Sequence, residues 1–434
     1  MKKIRVIALL LTVCMFLQIS AAAVEQIDIK AKAAILVDPA SGDVLYGKNQ
    51  MDKAYPASIT KLMTALLVIE NGGLDAEVTA AESAMEGLSE AGSTQDIEVG
   101  ETMTVDNLLI CLMVASANEA ANILAEHVAG SVEAFVEKMN QRASELGCQN
   151  THFVNTHGLH DEDHYTCAYD IALIAREAQK HPRLVEIYQM EKGKVPKTNK
   201  SEERIFFSTN SLISPYKERT YLYKYATGIK TGHTTPAGLC LAASAEKGDL
   251  SFISVILGAE VDPETKKKNQ FVETARLFNW GFDSFKRETV LTSAAPIAEV
   301  RLDLAWDRDH LVVQPANEFS CIVPNDFDAE QLVVTPELPQ TLDAPVEKGA
   351  VIGKARLTYG DRELGEVDLI AADSVERSQL LLVWRMIRQF FSSKLTHLCL
   401  IALAILIVLY VFFVILYNKR RSKRRRTNYR GKRR

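Results

Sequence analysis

An α+β fold, in which a five-stranded antiparallel sheet carries a helical lobe, is predicted by three observations. Near the start, Ala33–Asp38 and Asp43–Lys48 are apolar runs on either side of Pro39-Ala40-Ser41-Gly42, the pattern of a hairpin. From residue 58 to 181 the apolar positions recur at helical spacing. From Gly228 to Ala259 strands return as Gly228–Gly232, Leu239–Ala245 and Leu250–Gly258, separated by the turn sequences Thr235-Pro236-Ala237-Gly238 and Lys247-Gly248-Asp249. Two strands at one end of the region and three at the other make one sheet, with the helices between them packed as the second lobe.

In chain order, Pro56 starts a helix and Asn71-Gly72-Gly73 ends it, so Ser58 and Lys61 fall one turn apart on one face. A hydroxyl beside an amine can form an acyl-enzyme, because serine is a poor nucleophile until a base takes its proton. The same Ser-x-x-Lys spacing occurs at Ser214–Lys217 and Ser244–Lys247, so spacing alone does not single out the first pair. Met103–Val114 and Glu119–Val128 are helical patterns joined by Ala115-Ser116-Ala117-Asn118. Val132–Leu146 and Tyr169–His181 follow, and Thr265–Trp280 closes the region as a helix after the last strand.

Beyond Gly281 the alternation becomes short, at Glu299–Leu304, His310–Val313, Gln331–Thr335 and Val351–Tyr359, which predicts a small all-β domain over residues 288–374. Residues 376–394 include Gln379–Phe391, an apolar, Arg-bearing helix suited to a membrane interface. Leu395–Tyr417 is long and apolar enough to cross a bilayer, and residues 418–434 hold 11 Lys and Arg without an acid, which places the tail on the cytoplasmic side. At the other end, Lys2, Lys3 and Arg5 precede the apolar run Val6–Leu17 and the small residues Ala21-Ala22-Ala23, so Met1–Ala23 reads as a signal peptide. The catalytic region, residues 28–285, is therefore expected on the extracytoplasmic face of a single-pass membrane protein.

The net charge of −5 hides a division: residues 6–417 carry −19 once the basic tail and the three N-terminal cations are set aside. That acidity excludes nucleic acid as a partner of the exported part. Seven cysteines form no Cys-x-x-Cys pair, so no zinc finger is expected and no disulfide can be assigned. His152, His157, His160, Asp161, Asp163 and His164 are metal-type residues, read here as surface histidines among acids, and Cys167 and Cys240 as small buried side chains; no metal or other cofactor is expected.

Three motifs stand in order: Ser58-Ile59-Thr60-Lys61 at a helix start, Ser116-Ala117-Asn118 between helices, and Lys230-Thr231-Gly232 at a strand. Together with Asp38-Pro39-Ala40-Ser41-Gly42, His157-Gly158-Leu159-His160, His233-Thr234 and Ala344–Gly349, they make residues 28–374 resemble the low-molecular-mass penicillin-binding proteins, the serine-type D-alanyl-D-alanine carboxypeptidases. The resemblance implies a β-lactamase/transpeptidase-like fold and removal of the terminal D-alanine from peptidoglycan pentapeptides, in cell-wall biogenesis and cell shape, with β-lactams as inhibitors. It implies Ser58 as nucleophile, Lys61 as the base, and Ser116 as proton relay to the leaving amine. Asn118 holds Lys61 and substrate, Lys230 and Thr231 take the substrate carboxylate, and the N–H groups of Ser58 and His233 form the oxyanion hole. Gly232 is expected to leave room for substrate along the strand. Lys61 must then be neutral, through burial and repulsion from Lys230.

Two departures stand out: Gln270 where the family commonly has a carboxylate-binding arginine, with Lys266, Lys267 and Lys268 nearby, and a full membrane span where many relatives end in an amphipathic helix. The rival functions are a β-lactamase, against which stands the lack of a Glu-x-x-Leu-Asn segment between Asn118 and Lys230, and a non-enzymatic wall-binding protein with a relict cleft, for which Gln270 is the support.

Overall fold

The computed structural model describes residues 27–88 and 92–430, so the signal peptide expected at Met1–Ala23 lies outside the described residues. Strands β1 (Ala33–Val37), β2 (Val44–Lys48), β3 (Ala226–Thr234), β4 (Gly238–Lys247) and β5 (Leu250–Ala259) form one antiparallel sheet in the order β2-β1-β5-β4-β3. Both ends of the region meet in it because β1 pairs with β5.

The inner strands β1, β5 and β4 read as nearly unbroken apolar runs because both faces are covered. Ala33, Ile35 and Val37 of β1, Cys240 and Ala242 of β4 and Ile253, Val255 and Leu257 of β5 face the helical lobe. The alternate residues, Ala34 and Leu36, Leu241 and Ala243, Phe252 and Ile256, pack with Phe271, Leu277, Phe278 and Phe282 of the closing helix. Edge strand β3 has one side unpaired in the sheet.

The lobe comprises α1 (Lys61–Asn71), α2 (Val105–Ile110), α3 (Asn118–Ala129), α4 (Val132–Glu145), α5 (Ala168–Ala178) and α6 (Pro182–Tyr188). The helix expected over Tyr169–His181 is α5, which stops at Ala178, and α6 begins beyond it at Pro182, with His181 held out of the helical region at φ −105° and ψ 99°. Asp170 lies in the first turn of α5, and its carboxylate accepts the N–H groups of Gln149 and Asn150 and the Thr151 hydroxyl. The closing helix α7 is Asn269–Ser284 and starts four residues later than the sequence pattern suggested, since Asp262–Lys268 is a loop held by the Asp262 carboxylate. Short hairpins, Glu77–Thr79 with Thr102–Thr104 and Lys192–Val195 with Arg204–Phe207, were not anticipated.

The described residues divide into two compact units, those from 27 to 288 with 320–329, and 289–319 with 330–430. The second unit holds a six-stranded sheet, in spatial order Leu332–Glu337, Val351–Tyr359, Arg362–Ala371, His310–Pro315, Ala298–Asp303 and Thr341–Asp343, whose last pair is parallel. Leu302, Leu311, Ala344, Ala371 and Val375 make its core. Helix α8 (Gln379–Ser392) begins at a Ser378 cap, and its Arg385 donates to Asp343 at 2.7 Å and Asp303 at 3.4 Å. Helix α9 (Lys394–Arg430) contains a stretch, Lys394–Arg421, long and apolar enough to cross a membrane, with mean hydropathy 3.3 over an 18-residue window.

Candidate functional site

Ser58 sits not in an α-helix but in the 3₁₀ turn Ala57–Thr60 that leads into α1. Three residues per turn eclipse positions i and i+3, which brings Ser58 and Lys61 closer to register than the α-helical 3.6 does. Lys61 Nζ lies 3.0 Å from Ser58 Oγ, and it donates to Asn118 Oδ1 and to the His157 carbonyl, each at 2.7 Å. Two of the three partners can only accept. A neutral amine has two N–H bonds and one lone pair, so with both N–H groups committed to these carbonyls its lone pair is left for the Ser58 hydroxyl.

Lys61 is wholly buried, and the loss of hydration holds its pKa well below the ordinary lysine value; the nearby Lys230 ammonium adds to this, while Glu119 opposes it. The Lys230 side chain is also buried, and desolvation with the field of Lys217 brings its pKa down to about 7. Glu119 is held at a distance by its own partners, accepting from Thr94 Oγ1 at 2.8 Å and Gln95 N–H at 2.6 Å.

Helix α2 continues into a π-helical turn, Cys111–Ala115, and Ser116 follows in the left-handed conformation at φ +68°. Wide turns and positive φ at a non-glycine residue are strained features that cluster at functional sites. Here they end one helix and start α3 within two residues, with Ser116 buried and Asn118 Oδ1 against Lys61 Nζ. Ala57, before Ser58, is strained in the same sense at φ +47°.

On β3, Lys230 and Gly232 share the face toward the lobe. A Cβ on Gly232 would lie 2.7 Å from Pro56 O and 3.1 Å from Ser58 N, so the missing side chain makes room for the Ser58 turn. The Thr231 hydroxyl donates to Thr209 Oγ1 at 2.6 Å, and the Thr209 N–H reaches the Val114 carbonyl beside the π turn. Thr209 was missed: Ser208-Thr209-Asn210 has no feature separating it from other Ser-x-Asn triplets. The His233 side chain is exposed on the edge strand.

The His157-Gly158-Leu159-His160 loop supplies the Lys61 acceptor, a role invisible in sequence because it belongs to a backbone oxygen. Gly158, at φ +88°, is required there, since a Cβ would fall 1.9 Å from the Ala57 carbonyl. The histidines of this region are not all on the surface. His164 is buried, and its Nδ1 accepts the Val154 N–H at 3.1 Å, which leaves Nε2–H to donate to Thr60 Oγ1 at 2.8 Å. Thr60 in turn donates to the Ala57 carbonyl at 2.9 Å, so one neutral histidine braces the strained residue before Ser58. Burial pushes the pKa of His164 down to about 4 and that of His157 to about 3.

Gln270, the departure from the family's arginine, is buried with its Oε1 unpartnered, and Lys268 pairs with Glu218; Lys217, three residues after Ser214, is the cation whose field reaches Lys230. Glu70, Glu177 and His181 come within 4.8 Å of one another, but Arg142 bonds both carboxylates, an ion-pair network rather than a metal cage. Cys167 and Cys240 are buried thiols, with pKa values raised to about 12 and about 11 by desolvation.

Comparison with known proteins returns one consistent group. The family model described as D-alanyl-D-alanine carboxypeptidase matches residues 20–261, and one for the penicillin-binding protein 5 C-terminal domain matches residues 304–377. The chain is 30% identical to D-alanyl-D-alanine carboxypeptidase DacF of Bacillus subtilis over 351 residues, 80% of this chain and 87% of that protein. It is 31% identical to DacC of Escherichia coli over 376 residues, 81% of this chain and 86% of that one. Penicillin binding protein 5 from Haemophilus influenzae superposes with a TM-score of 0.67 at 29% identity, covering 82% of this chain and all of that one.

Proposed function

The chain belongs to the D-alanyl-D-alanine carboxypeptidase family of serine peptidases, and from its cleft we propose that Ser58 carries the reaction, with Lys61 as its base. It is a penicillin-binding protein 5-type carboxypeptidase of cell-wall metabolism. The observation that carries the catalytic assignment is the buried Lys61 amine, 3.0 Å from Ser58 Oγ, with two carbonyl oxygens taking its N–H groups.

Ser58 Oγ attacks the carbonyl of the penultimate D-alanine as its proton passes to the Lys61 lone pair. The developing oxyanion faces the N–H groups of Ser58 and His233, fixed donors that need no reorganisation. Ser116 conveys a proton to the leaving amine, the terminal D-alanine departs, and water hydrolyses the acyl-Ser58 ester by the reverse proton route. Asn118 orients Lys61 and the substrate backbone. Lys230 and Thr231 take the terminal carboxylate, an anion whose arrival favours the charged form of Lys230. Gly232 serves by letting β3 approach the Ser58 turn. A β-lactam offers the same carbonyl to the same serine.

The C-terminal helix is proposed as a single membrane anchor over Leu395–Tyr417, with the basic tail in the cytoplasm and residues 28–285 and 288–374 on the outer face, following a cleaved Met1–Ala23; its support is the apolar length and the Lys/Arg bias. Accessibility of engineered tail cysteines to an impermeant reagent in intact cells would reverse the orientation. For the chemistry, the purified protein should release D-alanine from a pentapeptide and take one penicillin on Ser58 by mass spectrometry. An adduct on another residue, or none, would refute the assignment.

A further inference from the structure

Glu119, the second residue of α3, is only 3% exposed, yet among the described residues it takes part in no ion pair. Taking a carboxylate out of water is costly unless it is bonded or paired, so a reason for this one is required.

Part of the reason is geometric. Helix α3 starts without a side-chain cap, because the residue before it is Ala117. Its start is fixed from outside instead: the Ala117 N–H donates to the Cys111 carbonyl at 3.1 Å, and the Asn118 N–H to the Ser93 carbonyl at 2.9 Å. The two residues after Ser93 return the contact. The Thr94 hydroxyl and the Gln95 N–H both donate to Oε1 of Glu119, at 2.8 and 2.6 Å. Three hydrogen bonds thus clamp residues 93–95 to residues 118 and 119, and Asn118 is the side chain whose Oδ1 takes a Lys61 N–H.

Geometry does not account for the charge. Both side-chain bonds fall on one oxygen, and the amide oxygen of a glutamine would accept them as well. What a glutamine would not supply is a field at Lys61. The titratable groups around that amine are Lys230 on β3, His157 and His164 in the loop between α4 and α5, and Glu119 on α3. The two histidines, with pKa values of about 3 and about 4, are neutral at neutral pH, and Lys230 repels a charge on Lys61. Cys111, whose thiol feels the Glu119 charge, is pushed up to about 12 by burial and is neutral too. Glu119 is the group of this set that attracts a charge on Lys61. Accepting the Ser58 proton makes Lys61 an ammonium where burial and Lys230 both oppose one, and a base that is too weak takes no proton.

Resting on the Ser58 and Lys61 assignment, we propose that Glu119 is a positioning residue of the reaction: it clamps residues 93–95 to the start of α3, which holds Asn118 against Lys61, and it is the countercharge for the ammonium that Lys61 becomes. The proton passes from Ser58 Oγ to Lys61 Nζ, the Oγ electron pair bonds the substrate carbonyl carbon, and Glu119 stays ionised throughout.

The test is the rate of Ser58 acylation by benzylpenicillin, followed against pH. Glu119→Gln keeps the acceptor oxygen and removes the charge. The midpoint of its alkaline-directed rise should fall by about half a pH unit, the scale of one partly screened charge. Its plateau should fall about twofold, since a weaker base takes the proton less readily. Thr94→Val, on the exposed segment, keeps the charge and removes one bond of the clamp; its plateau should fall about threefold with the midpoint in place. A Glu119→Gln midpoint equal to or above that of wild type would overturn the countercharge, even if the plateau fell, and a Thr94→Val rate equal to wild type would overturn the clamp. A wild type that takes no penicillin on Ser58, or whose acylation is flat with pH, would instead overturn the Ser58 and Lys61 assignment, and the role of Glu119 with it.

Discussion

Three Ser-x-x-Lys segments with the same spacing have three different fates in this chain. Ser58 and Lys61 lie on a 3₁₀ turn, where positions three apart are eclipsed, and the amine reaches the hydroxyl at 3.0 Å. Ser244 and Lys247 lie on β4, where residues three apart point to opposite faces; the Ser244 hydroxyl bonds Thr227, and Lys247 pairs with Asp283. Ser214 lies in a loop and donates to the Glu191 carbonyl, while the partly desolvated Lys217 turns its field on Lys230. Spacing becomes chemistry only where the backbone eclipses the pair and burial takes water from the amine.

The largest effect that can break this comparison is on the first serine. Ser58→Ala should lower D-alanine release by on the order of 10⁴-fold or more, as removal of a nucleophile does in other serine peptidases, with binding of the peptide retained. Next, Asn118→Ala deletes one of the two acceptors that leave the Lys61 lone pair for Ser58; a loss of about 10²-fold in penicillin acylation rate is expected, and an unchanged rate would show that Lys61 needs no such orientation.

A smaller effect concerns the brace behind the turn. His164→Gln removes the bridge from Val154 to Thr60, and should slow acylation about tenfold through kcat with little change in KM, an outcome Thr60→Val should reproduce. The same histidine ties stability to pH. Its folded pKa of about 4, with that of His157 at about 3, lies below the unfolded value near 6.5, so the unfolded chain binds more protons between those limits. Stability is therefore full above about pH 6.5 and falls as pH drops through 4, and thermal melting of His164→Gln should show a shallower fall over that range. The smallest effects belong to the two other serines: Ser214→Ala and Ser244→Ala should leave kcat/KM within about threefold, at about 1 kcal/mol of stability each for a lost hydrogen bond.

Much of the fold was legible because its cause is local. Apolar runs with turn residues between them gave the five strands, and Gly72 after α1 gave a helix end. What the sequence did not disclose depends on contacts between distant segments. The Lys61 acceptor at His157 is a carbonyl, and every residue has one. Thr209 matters only because its loop packs on Thr231, 22 positions away. That Gly232 makes room for Pro56 O shows only in the fold, and His164 looked like a surface histidine until Val154 N–H and Thr60 enclosed it. Gln270 faces inward, which moves the question of carboxylate binding to Lys230, Thr231 and Lys217.

The protonation state of Lys61 is the point on which all of this turns, and it can be read directly. In Ser58→Ala with lysines labelled at 13Cε, the Lys61 and Lys230 resonances are assigned by their loss in Lys61→Met and Lys230→Met, and followed through a pH titration. Lys61 should titrate well below the ordinary lysine value of about 10.4, and Lys230 near 7. In the Lys230→Met variant the Lys61 midpoint should move upward, since a repelling charge has gone. A Lys61 that titrates at the ordinary lysine value would leave Ser58 without a base and contradict the mechanism.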